Sequence, residues 1–347
     1  MQRFAVTGTS HKFAPIEVRE MLAFPDSVQP AALRTLREKH GLDQVILLST
    51  CNRIEVISFG AQGDVQESVA EFLASHHHVS RDFFSEYLYC HRGSSAVNHV
   101  FSVASSLDSM VVGETQILAQ LKAAYAAAAA EGATGKALNT LMHKAFAVAK
   151  EIHTDTSISR GQVSVASVAV SFVKRTFDDL SHKTALLIGT GDTGQLALRH
   201  LREAGIGHVI VANRTLEKAR ELANQHSGDA IPLDLLADYL PRADIVISQT
   251  SAPGIVVSRE MVQQAMKHRG SKPMFLMDLA VPRDISPDVE GMEGVYRYDV
   301  DDLEKVVAKA SEARAREYEQ GRSIVERRVH EFLAAFRVQA VEPLIAE

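Results

Sequence analysis

Cysteine is scarce, with Cys51 and Cys90 the only two in 347 residues, and tryptophan is absent. Two thiols cannot build a disulfide framework, which points to a reducing compartment. No apolar run approaches the roughly 18 residues of a membrane span. The stretch MQRFAVTGTSHKFAP lacks the apolar segment of a signal peptide, so a cytoplasmic protein is expected. Positive charge is not in excess. A formal net charge of −6 gives no general pull on nucleic acid, so any RNA binding must rest on local basic patches.

What remains is an ordinary globular composition, 46% hydrophobic and 23% charged, in a chain long enough for two or three domains. Up to about residue 80, strands and helices alternate. RFAVTGTS, QVILLST and IEVISFG read as strands; PAALRTLREKH and VQESVAEFLASHHH read as helices. From Ser94 to Phe177 the periodicity is almost wholly helical and includes AVNHVFSVASSLDSM, an alanine-rich helix ending at Gly132, and KALNTLMHKAFAVAKEIH. Beyond Gly161 the strands KTALLIG, HVIVANRT, DIVISQTS and MFLMDLAVP alternate with helices, the mark of a doubly wound parallel sheet. From Asp299 onward one long charged helix is expected, about 38 residues and roughly 55 Å. Its apolar stripe is Val325, Val329, Phe332 and Phe336. The expected class is therefore α/β multidomain: an N-terminal α+β catalytic domain at 1–158, a Rossmann-like domain at 159–298, and a long C-terminal helix at 299–347 that serves as spacer or interaction element.

Gly189-Thr190-Gly191-Asp192-Thr193-Gly194 is G-x-G-x-x-G directly after a strand and at the opening of a helix. The first glycine suits the turn, the second the approach of a pyrophosphate, and the third close helix packing. An NAD site usually has a carboxylate about 20 residues further on, for the ribose hydroxyls. This chain has Asn213-Arg214-Thr215 instead. With no acid to repel a 2′-phosphate and a guanidinium able to bind one, NADPH is the expected cofactor.

The stretch LLSTCNRIEVI places Cys51 in a polar turn at a strand end, with Arg53 two positions on. A free cysteine is commonly a core residue, and Cys90 in YLYCHRG is read that way. The T-C-N-R turn favours a nucleophile in Cys51, since a thiol needs a cationic neighbour to be reactive at neutral pH. A thiol combined with NADPH narrows the chemistry to aldehyde oxidation through a thioester, or the reverse, capture and reduction of an activated acyl group. The run His76-His77-His78 is read as a helix end rather than a metal site, because ligands on one helical face want i, i+4 spacing; no metal is expected.

STCNRIE at 49–55 and SSLDSMVVGETQILAQLK at 105–122 closely resemble the signatures of the glutamyl-tRNA reductase family. HKFAPIEVRE, SVASVAV, GTGDTG, the ANRT stretch and DLAVPRDI match further, in family order, over residues 8 to about 303. The resemblance implies that Cys51 attacks the ester of glutamyl-tRNA, that tRNA leaves, and that NADPH reduces the thioester to glutamate-1-semialdehyde. It implies substrate contacts at Thr50, Asn52, Arg53, Ser109, Glu114, Thr115, Gln116 and Gln120. Arg53 suits the substrate carboxylate, Glu114 the ammonium group, and His99 assists catalysis. It implies an aminomutase that receives the aldehyde and a homodimer, expected to be weakened here because the chain stops soon after the long helix. Two other readings compete. One is a shikimate-dehydrogenase-like NADP reductase, and the other a non-catalytic NADP- or tRNA-binding regulator.

Overall fold

The computed structural model describes residues 3–61, 63–109, 116–156, 158, 165–270, 272–303 and 315–345. They fall into two compact units, one made of 1–162 with 311–347 and the other of 163–310.

The first unit is built on an antiparallel sheet of β1 (Phe4–Ser10), β2 (Leu42–Ser49), β3 (Arg53–Ala61) and β4 (Tyr89–Arg92), in the order β2-β3-β1-β4. β1 is buried at every position, which requires cover on both faces of the sheet. That cover includes α1 (Ile16–Met21), α2 (Gln29–Glu38), α3 (Val65–His77), α4 (Ser94–Ala104), α5 (Gln116–Ala130) and α6 (Lys136–Asp155). Asp64 caps α3 by accepting from the backbone of Gln66 and Glu67. His76 and His77, at the end of α3, lay their rings against Phe24 with centroids 4.8 and 4.5 Å away.

The periodicity predicts a helix reaching Met110, but α4 ends at Ala104. Ser106 takes a positive φ of 58°, and the amides of Leu107 and Asp108 turn back onto the carbonyl of Ser102. A serine pair can offer the backbone an alternative to helix. The consequence is functional, because the reversal aims Asp108 at the turn that holds Cys51.

Among the described residues, the second unit holds six parallel strands: β5 (Thr184–Ile188), β6 (His208–Asn213), β7 (Asp229–Pro232), β8 (Ile245–Ser248), β9 (Met274–Asp278) and β10 (Val295–Asp299). Their order is β10-β9-β8-β5-β6-β7, the arrangement of a dinucleotide-binding sheet, with the order reversing between β5 and β8. The helices are α7 (Val165–Thr176), α8 (Asp192–Glu203), α9 (Leu216–Gln225), α10 (Leu236–Tyr239) and α11 (Arg259–Arg269). The central strands are apolar runs buried at nearly every position, as a sheet covered on both faces demands.

The final helix, α12 (Ala315–Ile345), departs from expectation. Its stripe is not bare. Val325, Val329, Phe332 and Leu333 are buried in the first unit's core, and Phe336 packs against it. The Phe332 ring lies 5.9 Å from Phe4 and 5.8 Å from Phe101. Gly321 allows the approach, since a Cβ there would stand 2.9 Å from the Leu107 side chain. Arg328 grips Glu151 of α6 through two hydrogen bonds of 2.8 and 2.9 Å, and Arg327 adds a third. A stripe occupied in this way is unavailable for pairing with a second chain.

Candidate active site and cofactor site

In the first unit, Thr50, Cys51 and Asn52 form the tight turn between β2 and β3. Thr50 Oγ1 accepts from the backbone N–H groups of Asn52 and Arg53, both at 3.1 Å, and the Thr50 amide bonds Arg53 O at 2.9 Å. Two outside groups fix the turn further. The amide of His11 donates to Asn52 O at 2.8 Å. The fully buried Arg19, on α1, donates to the carbonyl of Cys51 at 2.6 Å and to Asn52 Oδ1 at 3.3 Å. Cys51 itself is half-buried and forms no disulfide.

Beneath this turn lies a buried ionic cluster centred on Glu55. Its Oε1 accepts from Arg53 Nη1 at 2.7 Å, from the Tyr89 hydroxyl, and from His99 Nε2 at 2.7 Å. Burial alone would raise the Glu55 pKa; the charges of Arg53 and His99, with hydrogen bonds from His99 and Tyr89, hold it far below the usual range. An ionised Glu55 can only accept, so His99 Nε2 carries the hydrogen. The other ring nitrogen, Nδ1, faces Asp108 Oδ2 at 3.4 Å. Asp108 also pairs with Lys12, and its carbonyl accepts from Arg53 Nη2. Burial pushes Asp108 up, but Arg53 and Lys12 outweigh it and keep the carboxyl low. Burial, and then Glu55, push the Tyr89 hydroxyl far above its usual range, so it stays a donor.

Several expectations are revised by this geometry. Arg53, read from sequence as a clamp on the substrate carboxylate, is 1% exposed and engaged by Glu55 and the Asp108 carbonyl. Its place is under the turn. Tyr89, Asp108 and Arg19 carry no signal of their own in the sequence, although Asp108 lies inside the SSLDSM segment and Arg19 inside HKFAPIEVRE, whereas Glu55 stands in the LLSTCNRIEVI stretch as a carboxylate able to pair with a neighbouring base. His99 does join the thiol turn's support, through Glu55 and Asp108. Ser109 and Gln116 are half-buried. Gln120, with Leu48 and Ser49, lines a cavity of about 440 Å³ beside α5. Glu114 and Thr115 lie outside the described residues. Cys90 accepts a hydrogen bond from Thr7 Oγ1 at 3.3 Å and packs on the core. Among the described residues no cluster of three or more His, Cys, Asp or Glu could hold a metal ion.

In the second unit the glycine turn follows β5. Gly189 has a φ of +88°, and a Cβ there would stand 2.1 Å from Gln249 O, so only glycine fits. Gly191 precedes α8 as its N-cap residue, and Gly194 N donates to Gln249 Oε1 at 2.5 Å. Asp192 is exposed and Thr193 half-buried on the first turn of α8. A cavity of about 390 Å³ opens over this turn, lined by Gly189, Thr190, Gly191, Asn213, Arg214 and Thr215, with Lys218 and Gln249–Ala252. No carboxylate lines it, and two exposed cations, Arg214 and Lys218, do. That donor set fits a dinucleotide with a third phosphate. Lys218 escaped the sequence reading, although it lies one helical turn beyond Arg214. The wall at Thr250 is held from behind by buried Asp284, which accepts from Thr250 N at 2.8 Å, Thr250 Oγ1 at 2.6 Å and Ser248 Oγ at 2.7 Å.

Residues 7–156 match the family described as glutamyl-tRNAGlu reductase, N-terminal domain, and residues 171–306 the family described as shikimate / quinate 5-dehydrogenase. A glutamyl-tRNA reductase of Alkalilimnicola ehrlichii is 42% identical over 339 residues, which cover 98% of this chain and 76% of that protein. One from Geotalea uraniireducens is 43% identical, covering 98% and 79%. The solved glutamyl-tRNA reductase of Methanopyrus kandleri shares 34% identity and aligns with a TM-score of 0.55, over 100% of this chain and 83% of that one. The chain belongs to the glutamyl-tRNA reductase family. The shikimate-dehydrogenase likeness is thus confined to the second unit of a glutamyl-tRNA reductase, and the rival built on it alone falls away.

Proposed function

We infer that the chain is an NADPH-dependent glutamyl-tRNA reductase, the enzyme of the first step of tetrapyrrole synthesis by the five-carbon route. The similarity to curated members along nearly the whole chain carries this reading. The cofactor is NADPH, and the cavity with Arg214 and Lys218 suits its 2′-phosphate.

Cys51 is the nucleophile. Its thiolate attacks the ester carbonyl of glutamyl-tRNA, the bond to the ribose oxygen breaks, and tRNA leaves with a proton. The fixed turn and the Arg19 guanidinium hold the sulfur's backbone for that attack. His99, set between Glu55 and Asp108, handles the proton that accompanies ester cleavage. Arg53 positions the turn by its bond to Glu55. Thr50, Asn52, Ser109, Glu114, Thr115, Gln116 and Gln120 are the proposed glutamyl contacts. NADPH, when bound, supplies the hydride that turns the thioester into glutamate-1-semialdehyde and frees the thiol. The aldehyde then passes to an aminomutase in the cytoplasm. No helix among the described residues is long and apolar enough to cross a membrane. If two chains pair, they do so through a surface other than the buried stripe of α12.

The test separates capture from reduction. Without NADPH, wild-type protein should discharge glutamyl-tRNA slowly, and quenched protein should carry glutamyl on the Cys51 peptide. Cys51→Ala should bind NADPH yet discharge nothing. Discharge by that variant at the wild-type rate would overturn the assignment.

A further inference from the structure

Phe13 is the most exposed aromatic residue among the large exposed hydrophobics of the first unit, at 55%. Solvent exposure of a lone phenylalanine is common and means little by itself. Its position is what distinguishes it. The segment carrying Phe13 is pinned to the thiol turn by the His11 amide on Asn52 O at 2.8 Å. Lys12, the preceding residue, is tied to Asp108. The amides of Phe13 and Ala14 both close back onto Ser10 O at 2.9 Å, so the backbone is a fixed turn rather than a loose loop. The Phe13 ring lies against Tyr89, tilted at 55° with centroids 5.0 Å apart, and Tyr89 in turn lies 5.6 Å from His99. Phe13 is therefore the solvent-facing end of a chain of rings whose inner end is the catalytic histidine.

The ester that Cys51 attacks sits on the ribose of the last nucleotide of the tRNA, so that nucleotide must lie against the protein beside the thiol. A single-stranded end offers an unstacked base, and proteins hold such bases on aromatic faces with little regard for the rest of the sequence. We propose that Phe13 is the stacking platform for the terminal base of the tRNA, orienting the ester for attack by Cys51. The residues nearest Phe13 explain why a ring suffices: Lys12 is engaged by Asp108 and the Tyr89 hydroxyl by Glu55, so neither is free to read a base edge. The net charge of −6 points the same way, since a protein with little electrostatic pull on RNA gains from local stacking.

The proposal rests on the glutamyl-tRNA reductase reading and is tested apart from it. Phe13→Ala, Phe13→Leu and Phe13→Trp are compared with wild type on glutamyl-tRNA, and on a glutamate 1-aryl ester that offers the same acyl group with no nucleoside. Alanine and leucine should each raise KM for the tRNA about tenfold or more, while tryptophan retains it, because the loss is of a ring and not of apolar bulk. The aryl ester should be cleaved by all four proteins at similar rates. Charged tRNA carrying 2-aminopurine as its last base should lose fluorescence on binding wild type and not on binding Phe13→Ala. An unchanged KM in Phe13→Ala with an active wild type, or equal losses on both substrates, would overturn the platform alone. A wild type that fails to discharge the tRNA at all would remove the functional reading, and the platform with it.

Discussion

Arg19 supplies a permanent positive charge beneath Cys51, the proposed nucleophile, at 1% exposure and 2.6 Å from its carbonyl. A cation beside a thiol favours the thiolate, and a donor on its carbonyl fixes the turn that presents it. Arg19→Met removes both effects while keeping the volume filled. The expected result is about tenfold slower alkylation of Cys51 by iodoacetamide at pH 7, with slowed discharge of glutamyl-tRNA. Arg19→Lys should recover part of each, because it restores the charge but not the reach and planar geometry by which Nη1 bonds both Cys51 O and Asn52 Oδ1. Alkylation at the wild-type rate in Arg19→Met would show that the guanidinium serves packing alone. Cys51 was legible from its polar turn, and Thr50 and His99 only through the family resemblance. The roles of Arg19 and Glu55 were not: a charged residue in a helix or a strand looks solvent-facing until packing buries it. Glu55 illustrates this most plainly, as a carboxylate two positions from Arg53 whose single oxygen gathers three donors from β3, β4 and α4.

At the level of elements, the docking of α12 is the feature that local pattern did not reveal. The stripe Val325, Val329, Phe332 and Phe336 was plain, but periodicity says which face is apolar and not what it faces. Its partners Phe4 and Phe101 come from the opposite end of the unit's sequence. The short edge strands β4, β7 and β10 were missed for a related reason, since four or five half-buried residues carry no clear alternation. The glycine turn and its strand, by contrast, were legible because the steric demand at Gly189 is local. The docking has a measurable consequence. Phe332→Ala opens a cavity in the first unit and should cost about 3–5 kcal/mol, whereas Val338→Ala, at a site 61% exposed, should change stability by no more than about 0.5 kcal/mol. Amide hydrogen exchange of β1 would register both changes. Equal protection of β1 in Phe332→Ala and wild type would mean that α12 contributes nothing to this core.

On the scale of the whole molecule, the proposed chemistry places acyl capture in one unit and cofactor binding in the other, and the two units also divide the response to pH. In the first unit, burial and then the charges of Arg53, Lys12 and Arg19 lower His11 from 6.5 to about 4. Burial lowers His77 to about 4 as well. Between those values the unfolded chain binds more protons than the folded one, so stability is lost as pH falls from 6.5 toward 4. Glu55 and Asp108, both held low, extend that loss below their ordinary values. The second unit behaves oppositely at its buried carboxyls. Burial raises Asp278 from 3.8 to about 7 and raises Asp284 as well. There the folded state holds the extra proton, so stability falls as pH rises through the interval from 3.8 to about 7. His226, which is lowered by burial, and the surface carboxyls Asp179 and Glu260 pull the other way, but solvent screens them. Neither trend was visible in the sequence, because burial rather than residue type sets its sign. Acidifying the protein from pH 7 to pH 4.5 should therefore weaken amide protection in β1 and β3 while strengthening it in β8 and β9. Hydrogen exchange corrected for intrinsic rates at each pH reads both units in one sample. Protection that fell in parallel in the two sheets would show that Asp278 and Asp284 do not carry the protons assigned to them.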